Sequence, residues 1–247
     1  MKRQVYGIRA VQESLAAHPA DLAVVYVTDP VPPGALRDLV ATARRAGVSL
    51  ELRASAFLDA LTHDGRHQGV VAIAAGDYPY ADLEAVLDGP TPGLVVALDE
   101  ITDPHNFGAI VRSAVALGAQ GVLTLKDRAS PVTATVVRAS AGATEHCRIA
   151  RVTNLVRTLE ELRALDYRII GLAGEAQAVL SQVDLTGPVV LVVGSEGRGL
   201  RRLVRESCDV LAKIPLAGPI ASLNASVAAG VALYEVTRQR RVAMGEV

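Results

Sequence analysis

A chain of 247 residues and 25.8 kDa, half of them hydrophobic and 21% charged, holds enough apolar surface for one large core or two small ones, which excludes disorder as a whole. Its longest apolar runs, such as 93–98 and 225–233, fall far short of the ~18 residues a membrane span needs. The net charge of −1 excludes the global field by which a strongly basic domain gathers nucleic acid.

In chain order, helical spacing of apolar residues covers 8–17, a β-branched run covers 23–28, a second helical pattern runs from 36 to 46, and strand-like runs follow at 48–52 and 70–74. These make a small α/β domain over residues 1–76. Residues 77–92 carry four acidic side chains and no basic one, with Pro and Gly at both ends and a short amphipathic stretch at 83–87; they read as a linker. From 93 to 247, apolar runs at 94–98, 121–125, 168–172, 189–193 and 210–214 alternate with helical stretches. Strands that are apolar on both faces and alternate with helices predict a buried parallel sheet. Ligands of such sheets sit at the carboxyl ends of the strands, which directs attention to 99–106, 173–175, 194–199 and 215–222.

Three of those loops are distinctive. After the first strand comes Asp103-Pro104-His105-Asn106-Phe107-Gly108-Ala109-Ile110-Val111-Arg112. Asp103 or Asn106 suits a helix cap and Pro104 its first turn; Phe107, Ile110, Val111, Ala114 and Val115 form the face that packs on the sheet. Arg112 lies off that face, toward the strand ends or toward solvent. The second loop, Gly194-Ser195-Glu196-Gly197-Arg198-Gly199, sets one carboxylate among three glycines. It matches neither the dinucleotide fingerprint nor the P-loop, which disfavours an oxidoreductase of the Rossmann type. The third runs from Ile214-Pro215-Leu216 to Ser222-Leu223-Asn224-Ala225-Ser226, into a helix capped by Ser222 or Asn224. That helix has apolar positions at Leu223, Val227, Gly230, Val231 and Tyr234, and small residues suited to close packing. Each loop alone also reads as capping and turn chemistry.

Taken together, the three loops resemble the signature motifs of the SpoU (TrmH) family of RNA ribose 2'-O-methyltransferases. The first domain, through Tyr6-Gly7-Ile8-Arg9-Ala10-Val11 and His67-Gln68-Gly69-Val70-Val71-Ala72, resembles the substrate-binding domain of members that methylate guanosine of 23S rRNA. The resemblance implies a ribosomal-protein-L30e-like first domain and a catalytic α/β domain with a trefoil knot. It implies S-adenosylmethionine as cofactor, held by Leu172, Ala173, Gly174, Gly194, Ser195, Gly197, Ile214, Leu216, Ser222 and Leu223. Asn106, Arg112, Glu196, Ser222 and Asn224 become the catalytic set, with Arg112 clamping a phosphate and Glu196 orienting Arg112 or the ribose. The family is dimeric, so a homodimer is expected.

RNA contacts are expected from Arg9, Arg44, Arg45, Arg66 and Arg112. Eight aromatic residues and no tryptophan make base-stacking platforms scarce. His18, His63, His67, His105 and His146 show no metal-ligand spacing, so no metal is expected. Cys147 and Cys208 form no CxxC pattern, and no signal-peptide core follows the basic start, which suits the cytoplasm. The same reaction on tRNA or at a resistance-type rRNA site is the alternative, as is a non-catalytic dimeric RNA-binding or ribosome-assembly factor.

Overall fold

The computed structural model describes residues 3–63 and 65–246. It separates into two compact units, one formed by the chain up to Pro79 together with Val132–His146, the other by Tyr80–Pro131 and Cys147–Val247.

The first unit contains β1 (Gln4–Tyr6), α1 (Ile8–Ala17), β2 (Leu22–Thr28), α2 (Ala35–Arg45), β3 (Leu50–Arg53), α3 (Ser55–Thr62) and β4 (Val70–Ala74). The strands form a mixed sheet in the order β1-β4-β2-β3, with β2 and β3 parallel and β4 antiparallel to both β1 and β2. Val5, Val25, Val27, Val70 and Val71 supply its buried positions. The returning segment 132–146 was expected to belong with the catalytic domain. It is tied into the first unit by a buried ion pair between Arg3 and Glu145 at 3.1 Å, and by the Tyr78 hydroxyl donating to the Thr144 carbonyl at 2.8 Å.

The second unit begins with α4 (Leu83–Leu87), inside the stretch that composition marks as a linker. That stretch is not free chain. Asp82 caps the helix by accepting from the Ala85 amide at 2.7 Å, and Val86 is fully buried in a core with Leu123, Leu159 and Ile169. Next come β5 (Leu94–Asp99), α5 (Pro104–Ala116) and β6 (Gly121–Leu125). The short α6 (Ala134–Ala139) lies in the segment that joins the first unit. Then follow β7 (Arg148–Val152), α7 (Leu155–Arg163), β8 (Arg168–Leu172), β9 (Ala178–Val179), β10 (Val189–Gly194), α8 (Arg202–Glu206), β11 (Val210–Lys213) and α9 (Ala225–Ala243).

All seven strands of this sheet are parallel, in the order β7-β6-β5-β10-β8-β11-β9. Helices cover both faces, so β5 is buried along its whole length and β10 nearly so, which explains their uninterrupted apolar character. Phe107, Ile110, Val111 and Ala114 of α5 are completely buried, as its spacing predicts; burying Phe107 contributes roughly 2 to 3 kcal/mol.

The apolar positions of α9 divide between two faces. Its buried face is Ala225, Ala229, Ala232, Leu233 and Val236, whereas Val227, Val231 and Tyr234 are exposed. Near residue 230 the small side chains let α9 lie close to α5, where a Cβ added to Gly230 would sit 3.6 Å from the Ser113 hydroxyl. Arg240 anchors the far end of α9, donating to the carbonyls of Pro92, Gly93 and Gly187 at 2.8 to 2.9 Å.

Candidate active site

The two central strands end side by side, Gly194 of β10 pairing with Asp99 of β5. Asp99 is fully buried, and Arg201 saturates it: its backbone amide donates to Oδ2 at 2.8 Å and its Nε to Oδ1 at 2.6 Å. The loop leaving β10 therefore starts and finishes at one carboxylate. Within the loop the Gly199 amide donates to the Ser195 carbonyl at 2.9 Å, closing a tight turn. A Cβ at Gly194 would run into the backbone of Gly199 and Leu200, and Gly197 and Gly199 both have positive φ (78° and 65°). Glycine at 194 and 199 is thus a geometric requirement of the turn.

Glu196 is held out from this turn and meets two asparagines. Asp103 caps α5 by accepting from the His105 and Asn106 amides at 3.1 and 3.4 Å, which sets Asn106 in the first turn, nearly buried. The Nδ2 of Asn106 donates to Glu196 Oε1. Asn224 caps α9, its Oδ1 accepting from the Ser226 and Val227 amides at 2.9 and 3.4 Å. Its Nδ2 donates to Glu196 Oε1 at 2.7 Å and to Asn106 Oδ1 at 3.0 Å. The orientations are forced, because a carboxylate only accepts and the Asn224 oxygen is committed to the cap. Three loops far apart in sequence thus converge on one carboxylate oxygen.

Glu196 and Asn224 border a cavity of about 790 Å³ between the loops that follow β8, β10 and β11. Leu172, Ala173, Gly174, Gly194, Ser195, Gly197, Ile214, Leu216, Ser222 and Leu223 all line it, so the residues expected to hold the cofactor face one space. The volume lies in the range of small-molecule sites. The walls are backbone of glycine-rich turns and apolar side chains, with a few charged groups. An ion pair between Glu175 and Arg205 spans part of the lining, and hydrogen bonding from Arg205 holds the Glu175 carboxyl below the usual carboxylate range. A flat apolar group with polar edges fits such walls, and the lining offers charged groups of both signs, Glu175, Glu196, Arg198, Arg205 and Lys213. On the other side of the Ser195–Glu196 turn lies a smaller cavity of about 230 Å³, lined by Glu100, Thr102, Asp103 and Asn106 among others.

Arg112 is exposed on α5 and makes no hydrogen bond or ion pair among the described residues. The expected contact between Glu196 and Arg112 is absent there, because Glu196 is engaged by the two asparagines. Ser222 lines the cavity, but the cap of α9 is Asn224. Arg9, Arg44, Arg45 and Arg66 are all exposed. Arg9 and Arg66 lie at one end of the first unit's sheet. Arg44 and Arg45 finish α2 at the other, where the chain turns back into β3.

Sequence reasoning missed Asp99–Arg201 and Glu175–Arg205. The available signal was an acidic residue ending a wholly apolar strand, since a charge buried there needs a partner. Among the described residues no group of three or more His, Cys, Asp or Glu side chains is arranged to hold a metal ion, and no helix is long and apolar enough to cross a membrane.

Comparison with known proteins adds independent information. Residues 93–234 match the SpoU rRNA Methylase family, and residues 4–80 match the RNA 2'-O ribose methyltransferase substrate binding family. The chain is 42% identical, over 97% of both sequences, to the 23S rRNA (guanosine-2'-O-)-methyltransferase RlmB of Pseudomonas putida. It is 43% identical, over 96% of both, to the Coxiella burnetii protein of the same name. The solved structure of the SpoU methyltransferase AviRb from Streptomyces viridochromogenes in complex with the cofactor AdoMet superimposes with a TM-score of 0.80 at 28% identity, covering 97% of this chain and 90% of that one.

Proposed function

The chain belongs to the SpoU rRNA methylase family, and from that premise we propose that it transfers a methyl group from S-adenosylmethionine to the ribose 2'-hydroxyl of a guanosine in 23S rRNA. One observation carries the reading: the Asn106–Glu196–Asn224 network joins the three motif loops at the border of the 790 Å³ cavity. Relatives above 40% identity along almost the whole chain support 23S rRNA over tRNA as the substrate.

When bound, S-adenosylmethionine supplies a methyl group on a positively charged sulfur. Leu172–Gly174, Gly194–Gly197, Ile214, Leu216 and Ser222–Leu223, which line the cavity, would hold it and keep water away. The two asparagine amides fix Glu196, and the fixed carboxylate orients the ribose. Arg112, with its guanidinium unengaged, clamps the adjacent phosphate and stabilises the alkoxide that develops as the 2'-hydroxyl loses its proton. A guanidinium stays protonated, with a pKa above ~12, so it serves as donor and charge; the phosphate or a water receives the proton. Orientation of this kind can supply ~7 to 11 kcal/mol of the barrier reduction.

The exposed stripe Val227, Val231 and Tyr234 supports a homodimer built on α9, and relatives that act on 23S rRNA support a cytoplasmic site of action. Membership of the family supports a knotted carboxy-terminal part. The test incubates the protein with labelled S-adenosylmethionine and, separately, unmodified 23S rRNA, 16S rRNA and bulk tRNA, then maps label by its resistance to alkaline cleavage. Label at one ribose of 23S rRNA is expected; label in tRNA alone would overturn the substrate. For the dimer, Val231→Asp with Tyr234→Asp is expected to halve the mass seen by light scattering, and an unchanged mass would reject this face.

A further inference from the structure

The first unit carries an exposed aromatic and cationic cluster that the methyl-transfer site does not use. Because β2 and β3 are parallel and β4 is antiparallel to β2, the ends of β2 and β3 and the start of β4 share one end of the sheet. At that end Arg53, the last residue of β3, lays its guanidinium 5.5 Å from the centroid of the Phe57 ring and 6.0 Å from that of Tyr26. The two rings meet edge to face at 5.1 Å. The chain has two phenylalanines: Phe107 is fully buried, whereas Phe57 is 39% exposed and the Arg53 side chain 47% exposed. Glu51 pairs with Arg53 and holds the guanidinium in place.

The surroundings of this cluster carry both signs: Glu51 pairs with Arg53, Asp59 of α3 pairs with His67, and the exposed Asp29 donates its amide to the Arg53 carbonyl. Arg9, in the first turn of α1, and Arg66, in the turn before β4, are exposed at the same end and make no hydrogen bond or ion pair among the described residues. The start of α1 is fixed there by its Ile8 amide, which donates to Gln68 Oε1 at 3.0 Å. An exposed ring with a guanidinium beside it offers a stacking face for an unpaired base, and Arg66 and Arg9 stand at the same end of the sheet, Arg9 toward the β1 edge, where phosphates of the same strand could reach them. A protein partner with an apolar face would find little beyond Leu52 and Phe57 to bury.

We propose that this end of the sheet is an RNA-contact surface, on which Arg53 and Phe57 form the stacking platform for one unpaired base of the substrate and Arg9 and Arg66 face neighbouring phosphates. The inference rests on RNA being the substrate, and it names one platform in a chain where stacking platforms are scarce. Arg44 and Arg45, at the opposite end, are outside the surface.

The experiment uses the full chain and two readouts: fluorescence anisotropy with a labelled single-stranded oligoribonucleotide and with the same sequence in a duplex, and steady-state methylation of 23S rRNA. Phe57→Ala, Phe57→Leu and Arg53→Ala are expected to weaken single-strand binding about tenfold, as loss of one stacked base does, and duplex binding far less. They are expected to raise KM for the rRNA while kcat and the affinity for S-adenosylmethionine stay unchanged, and Phe57→Tyr is expected to behave as the parent. Wild-type affinity in Phe57→Leu would overturn the platform, because leucine keeps apolar bulk without a ring. An equal loss on Arg44→Ala with Arg45→Ala would overturn the assignment to this end. Absence of methylation by the parent would reject the proposed substrate, and the anisotropy series would still decide whether the platform binds RNA.

Discussion

Two polar clusters stand at the same ends of β5 and β10 and are built on opposite terms. Asp99 is fully buried, satisfied by Arg201 from two directions and tied to the backbone on both sides of the Gly194–Leu200 turn, with the Arg201 guanidinium partly exposed. Asn106–Glu196–Asn224 is an open network around an exposed carboxylate that keeps acceptor capacity, and Arg112, on the same helix as Asn106, has no ion-pair partner among the described residues. The first has no capacity left for a ligand and can only hold the turn; the second spends two amides to aim a charge at the cavity. The contrast separates the groups that shape the site from the groups available to react, and it makes stability and turnover separable by mutation.

The largest expected effect is on the buried pair. Asp99→Ala removes the fully buried acceptor of the Arg201 amide and guanidinium, leaving the partly exposed guanidinium with Glu100 at 3.6 Å, and is expected to cost about 3 kcal/mol of unfolding free energy by urea denaturation. Combining it with Arg201→Leu should recover much of that loss. A cost below 1 kcal/mol would show that the post does not hold the turn.

Arg112 should show the reverse pattern. Arg112→Ala is expected to lower single-turnover methylation about 10²- to 10³-fold, the scale of losing one preorganised donor, with the urea midpoint unchanged because the side chain is exposed. Arg112→Lys should also lose activity, since lysine lacks the planar fork. Full activity in the alanine variant would remove Arg112 from the mechanism.

Asn224 belongs to both patterns, and two substitutions divide its roles. Asn224→Ala removes cap and network, costing about 1 kcal/mol of stability along with rate. Asn224→Ser keeps a good cap and abandons Glu196, so the rate should fall at nearly parental stability. If both variants lose rate and stability in proportion, the asparagine acts through folding alone.

The smallest effect is expected at Cys208. Burial, with a contribution from the nearby Asp209, pushes its thiol up to about 12, so at pH 8 it stays in the neutral form. Iodoacetamide should leave it unlabelled in the folded protein and label it in urea. Rapid labelling of the folded protein would show that α8 opens readily.

Residue pattern alone determined the alternation of helix and parallel strand from 93 onward, the caps and buried face of α5, and the three loops facing one site, because apolar periodicity, capping and glycine geometry act over a few neighbouring residues. It also brought out ten of the cavity-lining positions through the resemblance of those loops. Only the tertiary structure decided which way α9 faces, since Val227, Val231 and Tyr234 satisfy helical spacing whether they point to the core or to solvent. The folding of 80–92 into the second unit and of 132–146 into the first depended on long-range contacts, Val86 in the core and Arg3 with Glu145. The short strands β1 and β7 likewise exist through pairing with β4 and β6, not through local propensity. For the same reason the partners of Glu196, the anchoring of Asp99 by Arg201 and the meeting of Arg53 with Phe57 and Tyr26 had no local signature: each depends on side chains brought together by sheet order, which is set by burial of the chain as a whole.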